Sequence, residues 1–217
     1  MKNNKPNHIF KRFILLCSGL IIMAIGVAFS IKAGLGTSPI SSVPYVTAKI
    51  SGLSVGITTI IMNALFIIIQ ICILNKEYDW FQLLQFPAAI LFGSTIDIAV
   101  LFIDFISISS YWQQWILCIL GIIFLALGIS FEIQANLVTT AGEGVVLAIC
   151  KVFPIKFGNM KVIFDITLVT LSVLLSIIFL GELTGVREGT IAAAILVGLI
   201  TKKTNILTQK LFSIEKH

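Results

Sequence analysis

Two short stretches concentrate hydroxyl groups, glycines and a carboxylate between long apolar runs. GLGTSPISS, residues 34–42, offers Thr37, Ser38, Ser41 and Ser42; NLVTTAGEG, residues 136–144, offers Thr139, Thr140 and Glu143. A Ser or Thr ahead of a helix caps its first N–H groups, and those left free there favour an anion or a polar group. Gly34, Gly36, Gly142 and Gly144 permit unusual backbone angles and close approach. The residues alone leave two readings open: a substrate site made by two facing half-helix N-termini, or plain caps of short surface helices.

Asp97, in FGSTIDIAV, looks the deepest of the ionisable groups. A carboxylate at mid-bilayer costs about 2.5–3.5 kcal/mol on insertion scales, so it implies a partner, a proton or a cavity. Asp165 lies roughly two turns into a later apolar run and matches Asn63 in the internal repeat described below. Either residue could bind a coupling ion or pair across helices, where a hydrogen bond is worth about 0.6 kcal/mol. Lys32, Glu132 and Gln134 are expected to snorkel to an interface or line a vestibule. Arg187 and Glu188 read as a cap or ion pair at a surface.

No enzyme constellation is visible: GxSxG, a phosphate loop, HExxH and a His-based dyad are missing. His8 and His217 both stand in the tails. Cys17, Cys72, Cys118 and Cys150 sit in apolar surroundings without CxxC spacing and read as ordinary hydrophobic residues. The sequence therefore predicts a protein that is not an enzyme, with no catalytic residue, no metal site and no cofactor.

The elements that carry these residues follow from composition. Hydrophobic residues make up 58% of the chain and charged residues 12%, against roughly 45–50% and 25% in a soluble domain. A helix crosses the hydrocarbon core with about 20 apolar residues. Six spans are expected, at 12–33, 55–75, 82–104, 111–135, 159–181 and 187–201. The first is too long for a signal peptide and lacks a small-x-small cleavage site. Residues 39–50 and 139–153 are too short to cross and read as half-helices or re-entrant segments, with Pro39 and Pro44 breaking the regularity of the former. With the N-terminus inside, 12 basic residues fall on the cytoplasmic side and 3 (Lys32, Lys49 and Arg187) outside. Tyr78 and Trp80 are expected to anchor the inner interface, and Tyr111, Trp112 and Trp115 the outer one. The net charge of +5 suits an anionic leaflet rather than nucleic acid.

A shift of 102 residues lays GLIIMAIGVAFSIKAGLGTS (19–38) on GIIFLALGISFEIQANLVTT (121–140). Gly19/Gly121, Gly26/Gly128, Phe29/Phe131 and Thr37/Thr139 are identical pairs, and the ungapped register continues through Gly56/Gly158 to Asn63/Asp165. Further on, ILFG (90–93) meets ILVG (195–198) after a three-residue slip, which pairs Asp97 with Lys202 near a membrane face. Three spans per copy is an odd number, so the second copy must enter the membrane from the opposite side. Inverted repeats with interrupted helices are a recurring transporter architecture, with the site between the repeats.

GVAFSIKAGLGTSPISSVPYVTAKISGLSVGITTIIMNALFIIIQ, with FGSTIDIAV and REGTIAAAILVG, resembles the YczE/YyaS/YitT group of bacterial integral membrane proteins, the YczE/YyaS branch most closely. The resemblance spans nearly the whole chain apart from the tails. It implies a multi-span inner-membrane protein and brings no substrate or catalytic residues with it.

The expected fold is thus an all-α membrane protein of six transmembrane helices, arranged as two inverted three-helix repeats, each with a short re-entrant or half-helix after its first span. Its parts are a cytoplasmic N-terminal tail (1–11), repeat 1 (12–105), repeat 2 (111–203) and a cytoplasmic C-terminal tail (204–217). It should reside in the bacterial cytoplasmic membrane as a transporter of a small molecule or ion. Its partners would be the lipid bilayer and an unknown small solute or ion; nucleic acid is not expected, and a homo-oligomer is compatible with the sequence. The alternatives are a non-transporting scaffold or regulator of another membrane complex, and the substrate-binding subunit of a multi-component importer. The expected substrate-binding residues are Thr37, Ser38, Ser41, Ser42, Asn63, Asp97, Thr139, Thr140, Glu143 and Asp165.

Overall fold

The computed structural model describes residues 6–212 and, among them, is wholly helical. In chain order the helices are α1 (Pro6–Ala33), α2 (Pro39–Ser51), α3 (Val55–Leu74), α4 (Gln85–Ile103), α5 (Tyr111–Ala135), α6 (Ala141–Val152), α7 (Phe157–Leu180) and α8 (Glu188–Phe212). Two short 3-10 turns, Asn75–Glu77 and Trp80–Leu84, join α3 to α4. The outermost parts of the two expected tails, 1–5 and 213–217, lie outside the described residues.

Six of these helices are long and apolar enough to cross a membrane: α1, α3, α4, α5, α7 and α8. Their outward faces carry large apolar side chains such as Leu101 (77% exposed), Phe102 (73%) and Trp112 (79%), surface that hydrocarbon rather than water suits. The chain is a multi-pass membrane protein. With 13 and 12 residues, α2 and α6 reach only about 18–20 Å, short of the roughly 30 Å hydrocarbon core.

Local chemistry sets the helix ends. Ser54 caps α3 by accepting the Ile57 N–H at 3.1 Å. Gly52 and Gly181, at φ 74° and 72°, end α2 and α7 in the left-handed region. One expectation changes. Pro39 and Pro44 do not break α2: Pro39 sits in the first turn, where its missing N–H costs nothing. The helix runs on through Pro44, whose carbonyl accepts the Thr58 hydroxyl at 2.8 Å. The helix that carries the sixth span runs on past residue 201 to Phe212, with no Gly or Pro between Gly198 and Phe212 to interrupt it.

Packing is most extensive where α1 crosses α5. A Cβ on Gly19 would stand 2.8 Å from the Gly128 carbonyl oxygen, and one on Gly26 would stand 2.7 Å from that of Gly121. Residue 19 thus meets 128 while 26 meets 121, so the two helices run antiparallel with backbones in contact. Around this axis α4 packs on α1 and α8 on α5, while α2 packs on α7 and α6 on α3.

One interface has no counterpart. α3 packs along α4, with Gly56 and Gly93 touching backbone to backbone. α7 and α8 share no comparable interface. Gly158 and Gly198, the residues that the sequence match lays on Gly56 and Gly93, have no neighbour within 4 Å that an added Cβ would meet.

The aromatic anchors divide. Trp80 and Trp112 are exposed, whereas Tyr78 is only 5% exposed and packs edge-on to Trp80, so it is not an interface anchor. Its burial, with the Asp79 charge beside it, pushes the Tyr78 hydroxyl pKa up.

Candidate functional site

Between the helices lies a cavity of about 380 Å³ whose wall includes both hydroxyl-rich elbows. Ser38 and Ser41 contribute from the start of α2, and Thr139, Thr140 and Glu143 from the start of α6. Asn63 of α3 and Asp165 of α7 complete the set of expected residues that converge there. The rest of the wall is largely apolar, with Leu20, Met23, Phe66, Phe92 and Ile129 among its residues.

Three expected residues are not on this wall. Ser42 is fully buried and donates to the Pro39 carbonyl at 2.7 Å, a bond internal to α2. Thr37 is 2% exposed; its backbone N–H donates to Gly185 O at 3.0 Å and its hydroxyl has no hydrogen-bond partner among the described residues. It borders a smaller cavity of about 180 Å³ beside Arg187. Asp97 sits at the α3–α4 crossing, where Oδ2 accepts the Ser54 hydroxyl at 2.6 Å and Oδ1 the Gly56 N–H at 2.7 Å. From α4 it caps the first turn of α3 and latches the two helices together.

Arg187 pairs with Glu188 at 3.1 Å, as expected, and also donates to the Gly34 carbonyl at 3.1 Å. With the Gly189 N–H on Leu35 O at 2.8 Å, this stitches the first elbow to the α7–α8 loop. Gly36 is glycine for a conformational reason: its φ is 93°, and Arg187 N and Thr190 crowd the place of a Cβ.

On the cavity wall the polar groups hold one another in a definite pattern. Ser38 donates to Ser41 Oγ at 3.1 Å, and Asn63 to the Thr59 carbonyl at 2.8 Å. Lys161 and Asp165, one turn apart on α7, form an ion pair at 2.7 Å. Glu132 does not snorkel to an interface. It is 5% exposed, and one carboxylate oxygen accepts the Thr140 N–H at 2.6 Å. The left-handed Asn136, at φ 45°, reverses the chain after α5 and lets Glu132 reach the α6 N-terminus. Gln134 also turns inward and hydrogen-bonds Asn205 of α8. Lys32 does meet a surface partner, Asp104, at 2.9 Å.

Glu143, a residue further round the wall, takes no hydrogen bond and forms no ion pair among the described residues. The cavity therefore holds three carboxylates against one cation, Lys161, already engaged by Asp165. Glu132 occupies the Thr140 N–H at the second elbow. Glu132 lines the cavity, one of the two places expected of it. The sequence expectation missed Lys161 and the Gln70–Gln85 pair; Gln70 bonds Gln85 at 2.9 Å and the Ala141 carbonyl at 3.0 Å. Only the one-turn spacing of Lys161 and Asp165 was a usable signal.

Comparison with known proteins agrees with the resemblance carried by the elbow motifs. The chain is 26% identical over 184 residues, 84% of its length and 86% of the relative's, to the uncharacterized protein YyaS of Bacillus subtilis (strain 168). No solved structure matches it. A profile for a family of unknown function, DUF6198, matches residues 10–205, and on that match this multi-pass, all-helical chain belongs to the DUF6198 family.

Proposed function

We propose that the chain is a transporter that moves a small solute across the bacterial cytoplasmic membrane through the cavity between two inverted three-helix repeats. In this reading α2 and α6 are re-entrant half-helices and both termini are cytoplasmic. The observation that carries it is the unequal state of two matched glycine pairs: Gly56 and Gly93 are in contact, while Gly158 and Gly198 stand in open space. Two copies of one unit held in different conformations are what alternating access requires, since the cavity changes sides when the copies exchange them. The antiparallel α1–α5 crossing, in which each matched glycine meets the counterpart of the other, supports a pseudo-two-fold axis there.

The glycines at the open pair then have a purpose that the present conformation does not use: they let α7 close on α8 in the other state. Gly158→Leu with Gly198→Leu should leave thermal stability unchanged, because nothing is within 4 Å of either Cβ position. In a cysteine-free background with Ser41→Cys on the cavity wall, a membrane-impermeant maleimide should label the parent from both sides of the membrane. The double leucine variant should be labelled from one side only. Labelling of the parent from neither side would leave no solute path and favour a non-transporting membrane partner. Two-sided labelling of the double variant would remove the glycines from the mechanism.

A further inference from the structure

The cavity wall combines features that select a ligand class, and the selection rests on the transport reading above. We infer that the solute is an organic cation with an apolar body, its charged group held by Glu143 and Glu132.

The volume of about 380 Å³ falls within the roughly 300–1,000 Å³ of small-molecule pockets. Leu20, Phe66, Phe92 and Ile129 offer hydrocarbon and aromatic surface, the latter suited to an onium group. Charge is distributed unevenly over the rest. Lys161 is neutralised by Asp165 at 2.7 Å. Glu143 has no hydrogen bond or ion pair among the described residues. Glu132, 5% exposed, uses one oxygen on Thr140 and has no hydrogen bond to the other. The wall carries three carboxylates against the single charge of Lys161, which pairs with Asp165 and also acts on Glu143; burying that excess of negative charge is costly, and a cationic ligand offsets it.

The same inventory argues against other classes. An anion would find the Thr140 N–H taken by Glu132, three carboxylates on the same wall and its one lysine engaged. A bare metal ion would find no group of three ligating His, Cys, Asp or Glu side chains among the described residues. A neutral solute would leave the wall's excess of carboxylates over cations unbalanced.

Tetraphenylphosphonium and tetraphenylborate, near-identical in shape and opposite in charge, separate charge from size. Equilibrium dialysis of the detergent-solubilised full chain should show saturable binding of the phosphonium and at least tenfold weaker binding of the borate. Glu143→Gln should weaken the phosphonium by roughly tenfold or more, and Glu143→Asp, which keeps the charge, should retain it; both should elute as the parent does on gel filtration. Equal binding of the two ions, or phosphonium binding untouched by Glu143→Gln, would overturn the assignment. Proteoliposome uptake separates this failure from failure of the transport reading. Glu143-dependent binding without uptake would leave the ligand class standing and sink transport. Uptake of the borate, blocked by modifying a cysteine at position 41, would leave transport standing and sink the class.

Discussion

Asp97 serves two helices at once. Its carboxylate takes a hydroxyl from Ser54 and a backbone N–H from Gly56, both near the start of α3, while its own backbone belongs to α4. Charge-assisted bonds of this kind contribute roughly 1.5–3 kcal/mol each, and the positive end of the α3 dipole adds to them. Asp97→Asn should therefore lower stability by about 1–3 kcal/mol, seen as a lower thermal unfolding midpoint in detergent. An unchanged midpoint would show that the latch holds nothing. The sequence marked Asp97 as an ionisable group needing a partner, and that much is so. It could not name the partner, because Ser54 lies 43 residues away. That Glu132 lines a cavity was among the expectations, but its bond to the Thr140 N–H was not legible, for a local reason. Its acceptor role depends on the turn at Asn136, and a left-handed asparagine is not distinguishable in sequence from one that continues a helix.

Among the elements, the spans were readable because an apolar run of the right length has few other uses. The two short helices were readable as too short, although proline was taken as a breaker where the first-turn position made it harmless. The matched glycines of α1 and α5 are contact points between the two helices. Gly26 faces the Gly121 carbonyl and the Leu125 backbone at 2.7 Å, so any side chain there must push α1 off α5. Gly26→Leu should cost at least the roughly 1–3 kcal/mol of an overpacked core site, with loss of monodisperse protein after extraction. Retention of the parent's unfolding midpoint would mean that this crossing is not the tight axis described. The same substitution at Gly52, where a Cβ meets nothing, tests only its left-handed backbone.

Across the whole molecule, side assignment follows from which loops meet. Lys151, at the end of α6, pairs with Glu77, after α3, at 3.1 Å, and Lys32 pairs with Asp104 at the ends of α1 and α4. Single cysteines at Lys76 and Ile155 should thus react with an impermeant thiol reagent from the same side of the membrane. Reaction from opposite sides would give each half an even number of crossings and dismiss the inverted arrangement. The sequence match implied that the two halves are alike, but it could not reveal that they differ in the present state. Which glycine pair is closed depends on the summed packing of eight helices, not on any local signal.

The latch at the closed pair has a consequence for resting behaviour. By the slipped match, the place of Asp97 is taken in the second half by Lys202, a base that cannot accept N–H groups from a helix start. Under the transport proposal the two end states would differ in energy, and the one with α3 clasped to α4 would be favoured in an empty protein. After releasing its cargo the molecule would relax unaided to a single waiting posture, so that the uphill stroke is the one that breaks the clasp.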